Sequence, residues 1–220
     1  MNTLTTYPCS GVVARVFAEA DDSDARLEER ARALPPDEHA RLMTTTDGYK
    51  ALYDGLKDFH LAVSRTTATL LYMLARSSGA RTIVEFGTSF GVSTLHLAAA
   101  LRDNGGGRLL GTEFEPTKAA QAYANLVVAG LADLVEIRTG DALETLAADL
   151  PEVIDLVLLD GAKRLYPKVL SLLEPRLRPG ALVVADNADW SPEYLAGMRT
   201  PTGGYASVPF AGDVELSMKL

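Results

Sequence analysis

What this chain of 220 residues lacks narrows its function before any motif is read. Cysteine occurs once, at Cys9, so no internal disulfide and no cysteine-based metal cluster can form, which suits a reducing compartment. Histidine occurs only at His39, His60 and His96, and no imidazole follows position 96. No apolar run reaches the roughly 20 residues needed to span a bilayer. The short apolar stretch Val12 to Ala18 is interrupted by Arg15 and followed by acids, so no secretory leader is expected. Positive charge is in the minority: 21 Lys and Arg stand against 29 Asp and Glu, for a net charge of -8, and no basic run could follow a phosphate backbone. These absences predict a cytoplasmic protein that acts on neither nucleic acid nor membranes. A content of 47% hydrophobic and 23% charged residues is that of a globular domain with a sizeable core.

Two regions differ in pattern. Residues 1–60 are acidic and Arg-rich around Asp21 to Arg32 and broken at Pro35-Pro36. The series Tyr49, Leu52, Tyr53, Leu56, Phe59 has helical spacing, and Leu27, Ala31, Leu34 is a weaker series, so this part is expected to be a helical cap. Residues 61–220 form the main domain. A helix is predicted after Ser64, a good N-cap, turning Leu70, Leu71, Leu74 and Ala75 inward and stopping at Gly79. From Arg81, strand-like runs at 82–86, 108–113, 134–137, 154–159 and 181–185 alternate with helices at 92–102, 116–129 and 163–177. Such alternation predicts an α/β fold with a doubly wound, mostly parallel sheet covered by helices on both faces. Ligands of such sheets bind beyond the carboxyl ends of the strands, so the functional residues should follow each strand.

The first strand is followed by Glu85-Phe86-Gly87-Thr88-Ser89-Phe90-Gly91. A dinucleotide fingerprint needs glycines at offsets 0, 2 and 5, but Ser89 and Val92 take the second and third places. Gly87-Thr88-Ser89-Phe90-Gly91 spells the G-x-S-x-G nucleophile elbow of serine hydrolases, yet the histidine that should follow the serine is missing, and Ser89 has no base to activate it. A third pattern fits better: an acid two residues before the first glycine, and a second acid, Glu113, ending the next strand, where a carboxylate can accept both ribose hydroxyls of an adenosine.

The stretches 61–64, 83–95, 140–142, 159–166 and 184–187 together resemble the metal-dependent class I O-methyltransferases typified by catechol and caffeoyl-CoA O-methyltransferases. The resemblance implies a seven-stranded sheet with an antiparallel last strand, S-adenosylmethionine as cofactor, a small hydroxylated acceptor such as a catechol or other vicinal diol, and a homodimer. It implies that Val63 and Ser93 hold the methionine carboxylate, Glu113 the ribose, and Asp141 with Ala142 the adenine, with Glu85, Gly87 and Asp160 completing the cofactor site.

Asp160 ends the fourth strand, and Asp186 with Asn187 ends the fifth. Two carboxylates and an amide oxygen are a hard donor set, suited to Mg²⁺, Mn²⁺ or Ca²⁺ and ill suited to zinc. Lys163, three residues after Asp160, is the candidate general base for an acceptor hydroxyl; a divalent cation and the cofactor sulfonium nearby would both disfavour its charged form. The competing readings are a metal-independent methyltransferase for another small molecule, an inactive cofactor-binding module, and a serine hydrolase using Ser89.

Overall fold

The computed structural model describes residues 2–32 and 55–220. The chain begins with α1 (Cys9–Arg32) and, after residues 33–54, continues with α2 (Arg65–Ser77), β1 (Thr82–Phe86), α3 (Val92–Asp103), β2 (Arg108–Glu113), α4 (Pro116–Ala129) and β3 (Val135–Thr139). It goes on through the single turn α5 (Ala142–Thr145), β4 (Ile154–Leu159), α6 (Tyr166–Leu173), β5 (Leu177–Ala185), α7 (Pro192–Arg199), β6 (Tyr205–Phe210) and β7 (Val214–Lys219).

The strands form one seven-stranded sheet in the order β3-β2-β1-β4-β5-β7-β6. The first five are parallel, and β7 runs antiparallel to both β5 and β6. Successive residues of a strand point to opposite faces, and the central strands are apolar on both. Ile83, Leu109, Leu156 and Leu158 join a core with α1 to α4, whereas Val84, Phe86, Leu110, Val157 and Leu159 join a second core with α6 and α7. Each such Leu or Ile side chain removed from water contributes about 2 kcal/mol.

Local chemistry sets the element ends. Ser64 caps α2 by accepting from the Thr67 amide at 3.0 Å, an interaction worth about 1 kcal/mol. Glu115 caps α4, Pro116 fills its first turn, and Gly130 ends it in the left-handed conformation at φ 72°. Leu71 and Ala75 are fully buried on α2, while Leu70 and Leu74 are only partly so.

The N-terminal region departs from the expected pattern. In place of a weak helix around Leu27, one long helix runs from Cys9, burying Cys9, Val12, Val16, Phe17, Ala20 and Ser23 along a single stripe. The acids that dominate its composition lie on the outer face, which hides the stripe from a count of apolar residues. Arg15 faces outward, to Glu19 and to Asn125 of α4 at 2.7 Å each. Of the predicted Tyr49 to Phe59 helix, residues 49–54 lie outside the described residues, as do Leu34, Pro35-Pro36 and His39; residues 55–59 end in a turn closed by the Phe59 amide on the Leu56 carbonyl at 3.0 Å. The predicted helix 163–177 is instead a 3₁₀ turn (Lys163–Leu165), α6, and a second 3₁₀ turn (Glu174–Arg176), with β5 beginning at Leu177.

Candidate active site

β1 delivers Glu85 to the floor of the site. The side chain is fully buried, and its two oxygens accept from Thr88 Oγ1 at 2.9 Å, Ser93 Oγ at 2.6 Å and Thr94 Oγ1 at 2.6 Å. Burial pushes its pKa up to about 7 against the pull of those three hydroxyls, and the nearby Asp160 adds to the rise. Glu85 lines neither of the site's cavities; it ties the glycine turn to the first turn of α3 from below. Gly87, at φ 99°, adopts a backbone that only glycine takes without strain.

Above this floor lies a crevice of about 600 Å³, open to solvent on one side, walled by Phe86, Gly87, Ser89, Glu113, Phe114, Lys118, Asp141, Ala142, Asp160 and Leu165 among others. Glu113, at the end of β2, accepts from the backbone amides of Ser89 at 2.7 Å and Glu115 at 2.9 Å. Burial raises its pKa, which these amides and Lys118 oppose. Asp141 follows β3, caps α5 through the Leu143 amide at 3.0 Å, and stands with Ala142 at the far wall.

A narrower cavity of about 220 Å³ adjoins the first and is walled by His60, Leu61, Val63, Gly87, Ser89, Ser93 and Asp160. Val63 and Ser93, which the family resemblance assigns to one end of the cofactor, both line this cavity. Ser89 Oγ donates to the His60 carbonyl, so its hydroxyl is occupied. The His60 ring lies flat on Phe90 at 4.1 Å, and His96 engages the Val92 carbonyl through Nδ1 at 2.7 Å, inside the core. Among the described residues no imidazole nitrogen hydrogen-bonds Ser89, and the elbow-like spelling carries no nucleophile machinery.

The ends of β4 and β5 bring the predicted acidic set together. The Asp160 amide donates to the Phe86 carbonyl at 2.8 Å and the Asp186 amide to the Leu159 carbonyl at 2.9 Å, which fixes both residues across adjacent strands. Tyr166 anchors the Asp186 carbonyl through its hydroxyl at 2.7 Å. Lys163 Nζ pairs with Asp160 Oδ1 at 2.7 Å. Burial, then repulsion from Asp160, pushes the Asp186 pKa up to about 7, and burial raises that of Asp160 against the pull of Lys163. Asn187 sits at φ 47°, its side-chain amide 3.3 Å from Asp213 Oδ2, and the Asp213 carbonyl accepts from Ala188 at 2.7 Å. Among the described residues no group of three His, Cys, Asp or Glu side chains is gathered tightly enough to hold a metal ion.

Sequence reasoning missed four participants. Thr88 and Thr94 bind Glu85, and Asp213 arrives from the last hairpin. Lys118 lies on the buried stripe of α4 with Ala122, Asn125, Leu126 and Ala129, a helical spacing that was legible but reads as ordinary packing around an unexpected lysine. Of the aromatics beside the site, Tyr194 and Tyr205 are buried and cannot wall a substrate, whereas Trp190 is 45% exposed.

Residues 84–188 match a family described as a methyltransferase domain. The chain is 34% identical over 160 residues to a catechol O-methyltransferase of Mycobacterium tuberculosis, an alignment covering 70% of this chain and 72% of that one. The chain belongs to the class I S-adenosylmethionine-dependent O-methyltransferases. This O-methyltransferase is also 38% identical over 130 residues to a catechol O-methyltransferase of Niastella koreensis, spanning 58% of each chain and so less than two thirds of that relative. The crystal structure of the O-methyltransferase TomG from Streptomyces achromogenes, in complex with SAM, superposes with a TM-score of 0.64 at 29% identity, covering 81% of this chain and 89% of TomG. No described helix is long and apolar enough to cross a membrane.

Proposed function

We propose that this enzyme transfers the methyl group of S-adenosylmethionine to one of two adjacent hydroxyls on a small, catechol-like acceptor, with a divalent cation held by Asp160, Asp186 and Asn187. The observation that carries this reading is the acidic cluster at the ends of β4 and β5, sharing Asp160 with both cavities. Two catechol O-methyltransferases among the relatives point to the same acceptor class.

The donor set fits such a cation. Asp160 and Asp186 repel one another, and two carboxylates stand beside the single ammonium of Lys163, which pairs with Asp160, so the cluster offers negative charge to a hard cation. Bound there, a divalent cation would lower the pKa of the acceptor hydroxyls it touches and compete with Lys163 for Asp160.

The chain's own residues then have distinct tasks. Glu113 accepts the ribose hydroxyls, and Asp141 and Ala142 flank the adenine. Val63 and Ser93 hold the methionine end in the narrower cavity, while Glu85 and Gly87 keep the turn in shape. Lys163 Nζ takes the proton from one acceptor hydroxyl. The oxyanion left behind attacks the sulfonium methyl in line, forming the O–CH₃ bond as the S–CH₃ bond breaks and S-adenosylhomocysteine leaves. Catalysis rests on proximity and charge, without a covalent enzyme intermediate.

A metal-independent methyltransferase is the second reading, favoured by the absence of a three-carboxylate or histidine cluster among the described residues. The deciding experiment is calorimetric binding of S-adenosylmethionine followed by methyl transfer to a panel of vicinal diols with Mg²⁺ or with EDTA. Turnover with Mg²⁺ and none with EDTA supports the first reading. Equal turnover in both supports the second.

A further inference from the structure

Lys118 occupies a position that the protein's own contacts do not account for. It lies in the first turn of α4, the end of a helix where peptide dipoles disfavour a cation, and it is only 3% exposed. Among the described residues its ammonium makes no hydrogen bond and no ion pair. Its nearest recorded partner is the face of Phe90, whose centroid is 5.6 Å from Nζ. Glu113, Glu115 and Asp58 favour its charge from a distance, but burial outweighs them and lowers its pKa. The residue lines the larger cavity, so its ammonium, with no acceptor among the described residues, is open to a ligand bound there.

The wall that holds Lys118 limits what that ligand can be. Lys118 lines the larger cavity with Glu113, Ser89 and Phe114. A carboxylate offers about four acceptor positions, and on Glu113 the Ser89 and Glu115 amides take two, with the Phe114 amide also turned toward it. An acceptor of negative charge and a donor of positive charge therefore share one wall. A phosphate or carboxylate on the ligand would be repelled by Glu113 and would find those two amides already taken. A neutral vicinal diol suits both groups, since each hydroxyl can give its proton to a carboxylate while accepting one from an ammonium.

We propose that Lys118 is a cofactor-binding residue whose ammonium donates to the ribose diol of S-adenosylmethionine, working on the same hydroxyl pair as Glu113. This rests on the reading that Glu113 marks the ribose end of the cavity. The ribose is common to cofactor and product, so Lys118 strengthens both equally and gains nothing from the methyl group.

The test is calorimetry of S-adenosylhomocysteine and of its 2′-deoxy and 3′-deoxy analogues with the wild-type protein, Lys118→Met and Lys118→Gln. Lys118→Met is expected to weaken S-adenosylhomocysteine about tenfold, the scale of one charge-assisted hydrogen bond. For one of the two deoxy analogues that penalty should vanish, and Lys118→Gln, which keeps a donor, should recover part of it. An equal penalty for all three ligands would assign Lys118 to packing alone and overturn the proposal. If Lys118→Met does not fold, ¹⁵N spectra of the wild-type lysine ammonium groups decide: S-adenosylhomocysteine should slow proton exchange at Lys118, and the analogue lacking the contacted hydroxyl should not. Unchanged exchange with bound S-adenosylhomocysteine overturns the Lys118 proposal and leaves the cofactor reading standing, whereas failure of wild-type protein to bind S-adenosylhomocysteine overturns both.

Discussion

Gly87 lies so close to the backbone of Asp160 that a Cβ on it would stand 2.6 Å from the Asp160 carbonyl oxygen. The cofactor turn and the strand end bearing the shared acid are thus pressed together with no room for a side chain, and the φ of 99° adds strain for any other residue. Gly87→Ala should cost about 3 kcal/mol of stability and abolish S-adenosylhomocysteine binding. Thermal unfolding and calorimetry would show both, and an alanine variant with wild-type affinity would contradict the close approach.

Glu85 gives the stability a definite pH dependence. Its pKa in the folded protein, about 7, lies above its ordinary 4.5, so the native state holds the proton more tightly than the unfolded chain. Stability from this group is fully present below pH 4.5 and is lost as the pH rises through about 7. Glu85→Gln, which can still accept from hydroxyls, should reduce the fall in unfolding free energy between these limits by about 3 kcal/mol. Denaturant titrations of both proteins across that range test it, and parallel pH profiles would refute it.

Lys163→Met should lower kcat by about a thousandfold, within the range for loss of a general base, while S-adenosylhomocysteine affinity is retained. Single-turnover methyl transfer alongside calorimetry separates the two effects. Retained turnover would remove Lys163 from the role of base.

Asp186→Asn should make the metal-free protein more stable by about 2 kcal/mol, because it removes one of two repelling buried carboxylates. The same change should erase the rise in melting temperature produced by Mg²⁺ in the wild-type protein. A variant that still responds fully to Mg²⁺ would show that Asp186 is not a ligand.

The central strands were legible because parallel strands covered on both faces read as short continuous apolar runs: the predicted limits of β1, β2 and β4 coincide with the observed ones. β5 was misread. Pro175 ends α6 by removing a donor, and Pro179-Gly180, a pair that usually interrupts a strand, lies inside β5 where the register against β4 shifts between Ile154 and Leu156. In the site, residues that follow a strand directly, such as Glu113, Asp160 and Asp186, could be placed by strand order alone. Asp213 and Lys118 could not. The first sits on a hairpin that the family resemblance implies but whose approach to Asn187 no local pattern gives, and the second hides among small residues on a helix whose inward stripe otherwise signals packing.

The antiparallel hairpin at the sheet's edge has a consequence for how the chemistry is divided along the chain. The walls of both cavities come from residues between His60 and Leu165, whereas the Asn187 side of the acidic cluster is buttressed by Asp213 on the tight turn between β6 and β7. On the proposed reading, recognition of the methyl donor and reception of the methyl are written in successive passages of one polypeptide, with Asp160 as the word they share, and rewriting the last hairpin should change the acceptor side before the donor side.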